Sequence, residues 1–121
     1  MALPFLKPYL STALVRIFFI VLGWSVLLNG ALWAAALLAF PRHDPAVVLH
    51  YSIDVGIDFI GEGEQIIVLP LIGSLILIFN TVVGIAVLRA DHRAAWVLWS
   101  IMPVLQLIML LSFYLLWQVN F

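Results

Sequence analysis

Residues 17–40 read IFFIVLGWSVLLNGALWAAALLAF, an apolar run that carries no charged side chain and stops at Pro41. About 20 helical residues cross the hydrocarbon layer of a bilayer, so this stretch alone is long enough to span one. Two further runs share its character. Residues 66–88 read IIVLPLIGSLILIFNTVVGIAVL and residues 94–117 read AAWVLWSIMPVLQLIMLLSFYLLW. None of the three contains Asp, Glu, Lys, Arg or His. The first run exceeds the 7–15 apolar residues of a signal-peptide core, so it reads as an uncleaved span despite its Ala34-Ala35-Ala36 segment.

Composition agrees. Of the 121 residues 66% are apolar and 9% charged, there is no cysteine, and the mean hydropathy is +1.24. A soluble domain is about half apolar and a quarter charged, and one this small could not bury such a surplus. The expected fold class is therefore an all-α membrane protein: three transmembrane helices, with a long extended extracytoplasmic loop between the first and second. It reads as one membrane domain over residues 1–121. An interfacial N-terminal segment (1–16), where Pro4 and Pro8 disfavour a long helix, leads into the first span at 17–40. A loop at 41–65 then precedes spans at 66–88 and 94–117. Residues 90–93 are too few for anything but a tight turn, so the last two helices form an antiparallel hairpin. Asp91 is placed to cap the third helix, and Ser11 or Thr12 to start the first.

Charge sets the expected orientation. Lys7 and Arg16 precede the first span, and Arg89 and Arg93 flank the turn between the last two. The 41–65 loop has only Arg42 against Asp44, Asp54, Asp58, Glu62 and Glu64. Basic residues favour the cytoplasmic side, which puts the N-terminus in the cytoplasm and the acidic loop and C-terminus outside. The net charge of −1 leaves no basic face for nucleic acid. The absence of cysteine removes thiolate nucleophiles and cysteine-ligated metal centres.

Within the loop, Val47, Leu49, Tyr51, Ile53, Val55, Ile57 and Phe59 alternate with His50, Ser52, Asp54, Gly56 and Asp58. That two-residue period predicts an extended strand, with a bend at Gly56. A lone strand is not stable in water. Its apolar side must rest on the helix ends and interface or dock on a partner, the second reading making His50, Tyr51, Ile53, Asp54, Val55, Ile57, Asp58 and Phe59 the docking residues. His50, Asp54 and Asp58, with Glu62 and Glu64 nearby, also suggest a cation site. They lack the spacing of calcium loops or paired-histidine zinc motifs, so a solvated acidic face is preferred. No catalytic, cofactor-binding or metal residue is assigned.

Inside the spans, Asn29, Asn80 and Gln106 lie at depths where amides turn toward other helices. Gly73, Leu77, Asn80 and Gly84 share a face of the second span, and Gly30 with Ala34 forms a small-xxx-small pair on the first. Asn29, Gly30, Gly73, Asn80, Gly84 and Gln106 are thus the expected interhelical packing set. A hydrophilic pathway would ordinarily carry an ionisable group as well. Trp96, Trp99 and Trp117 read as interface aromatics, with Trp24 and Trp33 deeper, while Pro70 and Pro103 are expected to kink their helices.

Pro45, His50, Ser52, Gly56, Asp58 and Gly61, followed by an apolar helix with Pro70 near its start, resemble the DUF1648 family of small bacterial membrane proteins. Ser52 stands where that family prefers Asn. The resemblance implies a bacterial source, a shared loop-plus-helix unit, and kinship with immunity proteins that guard against a secreted toxic peptide. The residues themselves favour a non-enzymatic accessory subunit, and the resemblance implies that it lies in the bacterial inner membrane. Its partners would be lipids and a larger membrane protein complex, with an energy-transducing assembly as one candidate. An immunity or signalling protein that binds a peptide through its outer loop is the alternative.

Overall fold

The structure, a computed structural model, describes residues 11–40, 46–52 and 56–120. The interfacial reading of the first ten residues lies outside them, as do Ile53, Asp54 and Val55. Of the side chains at 50–52 and 56–60, only the backbone course is described.

Among the described residues three helices are long and apolar enough to cross a membrane, as the charge-free runs require of a multi-pass membrane protein. Helix α1, Thr12–Leu38, starts well before the apolar run because Ser11 caps it, its Oγ accepting the Leu14 N–H at 3.3 Å. Arg16 thus falls within the first turns, exposed, where a long side chain reaches toward headgroups. Helix α2, Val68–Val87, is entered through a 3-10 turn, Gly63–Ile67, where the Gln65 Oε1 reaches back to accept the Glu62 N–H at 2.9 Å. Helix α3, His92–Asn120, contains Pro103 and runs three residues past the expected end at Trp117. A tight turn joins α2 to α3, in which Ala90 and Asp91 donate to the Val87 carbonyl at 3.0 and 2.8 Å. The Asp91 Oδ1 caps α3 by accepting from the Arg93 and Ala94 N–H groups at 3.0 and 3.1 Å.

The loop departs from expectation. Instead of one long extended segment, it holds two antiparallel strands, β1 (Val47–Ser52) and β2 (Gly56–Gly61). Val47 pairs with Gly61, Val48 with Ile60, Tyr51 with Ile57 and Ser52 with Gly56, and the register shifts around His50. The physical reason is backbone satisfaction. A single strand leaves every N–H and C=O without a partner, whereas folding back at the Gly56 end pairs one edge internally. The alternation through 47–59 is thus the sum of two short strands of one period, with His50 and Tyr51 in β1 and Ile57, Asp58 and Phe59 in β2.

Helix α3 packs along both α1 and α2. Two apolar clusters fill the bundle. At the end bearing the α2–α3 turn, Val15, Phe18, Leu88, Ala95, Trp99 and Met102 pack together; at the ribbon end the set is Leu32, Ala36, Phe40, Val47, Ile66 and Phe113. Trp99 corrects the sequence reading. It is 0% exposed, with its ring 4.5 Å from Phe18 and 5.2 Å edge-on to Trp96, so it is a core residue and not an interface aromatic.

Candidate functional site

A polar layer separates the two clusters, built by all three helices. Asn29 on α1 donates through Nδ2 to the Gln106 Oε1 at 3.2 Å and to the Pro70 carbonyl at 3.3 Å. Gln106 on α3 in turn donates through Nε2 to the Gly73 carbonyl at 2.8 Å. The Ser74 hydroxyl donates to the Asn29 Oδ1 at 2.8 Å and accepts the Trp33 indole N–H at 2.9 Å. The donors therefore run in one sense from Trp33 to the α2 backbone, and both carboxamides use both their atoms. Asn29 is 8% exposed and Gln106 0%. In hydrocarbon such groups have no water to fall back on, so each bond ties helices together, typically by about 1 kcal/mol or less.

Gly73 makes the layer possible. A Cβ there would lie 2.7 Å from the Asn29 Nδ2 and 2.9 Å from the Gln106 Oε1, so a larger residue would push both amides from their present places against α2. One helical stretch nearer the turn, the Asn80 Nδ2 donates to the Leu98 carbonyl at 3.2 Å, and Thr81 reaches the Met102 sulfur at 3.4 Å. Gly84 is the seat of the Trp99 indole: a Cβ there would overlap the ring, approaching its Cδ1 to 2.8 Å. The Trp99 Nε1 is the one buried side-chain donor without an acceptor among the described residues.

Five of the six expected packing residues, Asn29, Gly73, Asn80, Gly84 and Gln106, thus lie at helix–helix contacts. Gly30 does not. It is exposed, and a Cβ placed on it meets nothing within 4 Å. A one-residue step turns a helix by about 100°, so a residue beside the inward-facing Asn29 looks outward, and Ala34 follows it. Sequence reasoning placed Trp33 deep in its span but did not foresee its hydrogen bond, and it missed Ser74. A signal existed for the first: it lies four residues after Asn29, on the same helical face.

The ribbon end is fastened by the last turn of α3. The Val48 N–H donates to the Asn120 Oδ1 at 2.8 Å, and the Asn120 Nδ2 donates to the Val48 carbonyl at 2.9 Å and to the Leu116 carbonyl at 2.8 Å. The Trp117 indole donates to the Ala39 carbonyl at 3.2 Å, satisfying a group at the C-terminal end of α1. Val47 is 3% exposed. Leu49 walls a groove of about 300 Å³ with Gln65, Ile66, Leu69, Ile72 and Leu116. Neither Asn120 nor Trp117 was expected in a contact of this kind, because Trp117 read as an interface aromatic and Asn120 lay beyond the expected end of the third span. Among the described residues no three His, Asp or Glu gather in a way that could hold a metal ion; Asp54 of the suggested cluster and the side chains of His50 and Asp58 lie outside them. No protein-family model, curated protein or solved structure matches this chain.

Proposed function

We propose that the chain is a non-enzymatic accessory subunit of a larger membrane protein complex, and that its ribbon is the element offered to the partner. One observation carries this reading. The amides within the spans are spent on tying helices to one another, through Asn29, Gln106 and Asn80, while the ribbon is held in a fixed pose by Val47 and Asn120. A bundle that invests its interior polar groups in rigidity and projects an ordered strand pair is suited to presenting a surface. The loop charges favour an N-terminus in the cytoplasm with the ribbon and C-terminus outside, and the DUF1648 resemblance favours a bacterial inner membrane. An energy-transducing complex is one candidate host.

The test is purification of the native protein in mild detergent, followed by mass spectrometry of what accompanies it. A large assembly of fixed stoichiometry supports the proposal and names the machine. A lone small particle with a protease-accessible ribbon discards it, and brings forward the second reading: an immunity or signalling protein of the DUF1648 kind, whose resemblance covers the ribbon and the start of α2. Within the subunit reading, I57D should abolish the association. An I57D protein that still co-purifies with the assembly removes the ribbon from the docking surface.

A further inference from the structure

The bond pair between Asn120 and Val48 has the form of a strand pairing. In an antiparallel sheet a residue's N–H and C=O point to the same side of its strand, and the residue opposite supplies one acceptor and one donor. At Val48 the Asn120 carboxamide supplies both, Oδ1 accepting at 2.8 Å and Nδ2 donating at 2.9 Å. The side chain therefore stands where the peptide groups of a third strand would. Around it β1 is firmly seated: Val47 is buried among Leu32, Phe40 and Phe113, and Leu49 borders the groove with Leu116. An uncovered strand edge is a ready template for pairing with another chain, and proteins commonly cover such edges.

We infer that Asn120 is a displaceable plug on the edge of β1, and that this edge takes an extended peptide segment of the partner by strand addition once the plug is withdrawn. The inference deepens the reading of the ribbon as the docking element and rests on it. The chemistry selects the occupant. Val48 demands one acceptor and one donor on the same side at peptide spacing. An extended strand presents these at alternate residues, whereas a transmembrane helix has spent its backbone groups internally and an acyl chain has none. The plug is also economical to withdraw, because its Nδ2 already shares the Leu116 carbonyl as a second acceptor.

The experiment uses the full chain alone in lipid nanodiscs, so no native partner enters and its outcome is separate from that of co-purification. Amide hydrogen exchange is followed at Val48 in the wild type, N120A and N120D. The probe is a synthetic peptide copying the β1 sequence, VVLHYS, with the same peptide N-methylated at alternate amides as control. The expected result is exchange at Val48 roughly tenfold faster in N120A, the loss of one to two ordinary hydrogen bonds, with helix amides unchanged. VVLHYS should bind N120A at least about tenfold more tightly than wild type and restore slow exchange, and the methylated peptide should not. N120D keeps an acceptor but sets a carboxylate oxygen against the Val48 and Leu116 carbonyls, so it should free the edge at least as far as N120A and bind the peptide no more weakly. Unchanged Val48 exchange in both variants overturns the plug. Peptide capture equal in the wild type and both variants, or absent from all three, overturns strand addition.

Discussion

The middle of the bundle and its ribbon end are both held by side-chain amides, but in different ways. In the middle, Asn29 and Gln106 bond to each other and to the backbone of α2, so three helices share one polar layer around Gly73. At the ribbon end, beside the packing of Val47 on Phe113, the described hydrogen bonds between β1 and α3 all come from Asn120. A shared layer is cooperative, since no helix can leave without stranding amides in hydrocarbon. A single fastener can open locally while the helices stay packed. The spans are thus tied to one another through several shared bonds, whereas the described hydrogen bonds between β1 and α3 come from one side chain.

The largest effect should come from the tightest close approach. Gly84→Leu drives a side chain into the Trp99 indole, which is fully buried and cannot retreat without breaking its packing on Phe18. Overpacking of this kind costs about 1–3 kcal/mol, and here the upper part of that range is expected. Reversible unfolding in mixed micelles measures it. A loss below about 0.5 kcal/mol would mean that α2 and α3 do not meet as closely as the Gly84–Trp99 contact requires.

Next comes the polar layer. Gln106→Leu removes an acceptor from Asn29 and a donor from the Gly73 carbonyl, for an expected loss of about 1 kcal/mol. Asn29→Leu should cost a similar amount. Because the two residues bond directly, the double variant should lose clearly less than the sum, and a cycle of the four proteins reads that coupling. Strict additivity would place the two amides in separate contacts and break the contrast with Asn120.

How much of this was legible follows from period and polarity. Charge-free runs and caps such as Ser11 and Asp91 locate helices without reference to anything distant, and an amide deep in a span must find a partner. Those local rules reached Asn29, Asn80 and Gln106. They could not reach pairings set by three-dimensional meeting. Strand period does not say whether residues 47–59 run straight or fold back, because β1 and β2 have the same alternation. Trp99 near a helix end looks like an interface aromatic until Phe18 of another helix is found against it. The role of Asn120 depends on α3 continuing past Trp117 and on β1 lying alongside, and no spacing within α3 records either.

The smallest effect sharpens the comparison from outside the bundle. Gly30 and Gly73 are the same residue type, each inside a helix, yet a Cβ on Gly73 would come within 3 Å of two amides and one on Gly30 would meet nothing. Glycine in a helix interior is about 1 kcal/mol less favourable than alanine where no contact requires it. Gly30→Ala in the isolated protein should therefore be neutral or stabilising by up to about 1 kcal/mol, whereas Gly73→Ala should be destabilising by a comparable or larger amount. Unfolding of both variants side by side decides it. A Gly30→Ala protein that loses stability would place a close contact on the exposed side of α1, where the isolated chain has none, and would assign that side to a neighbouring helix.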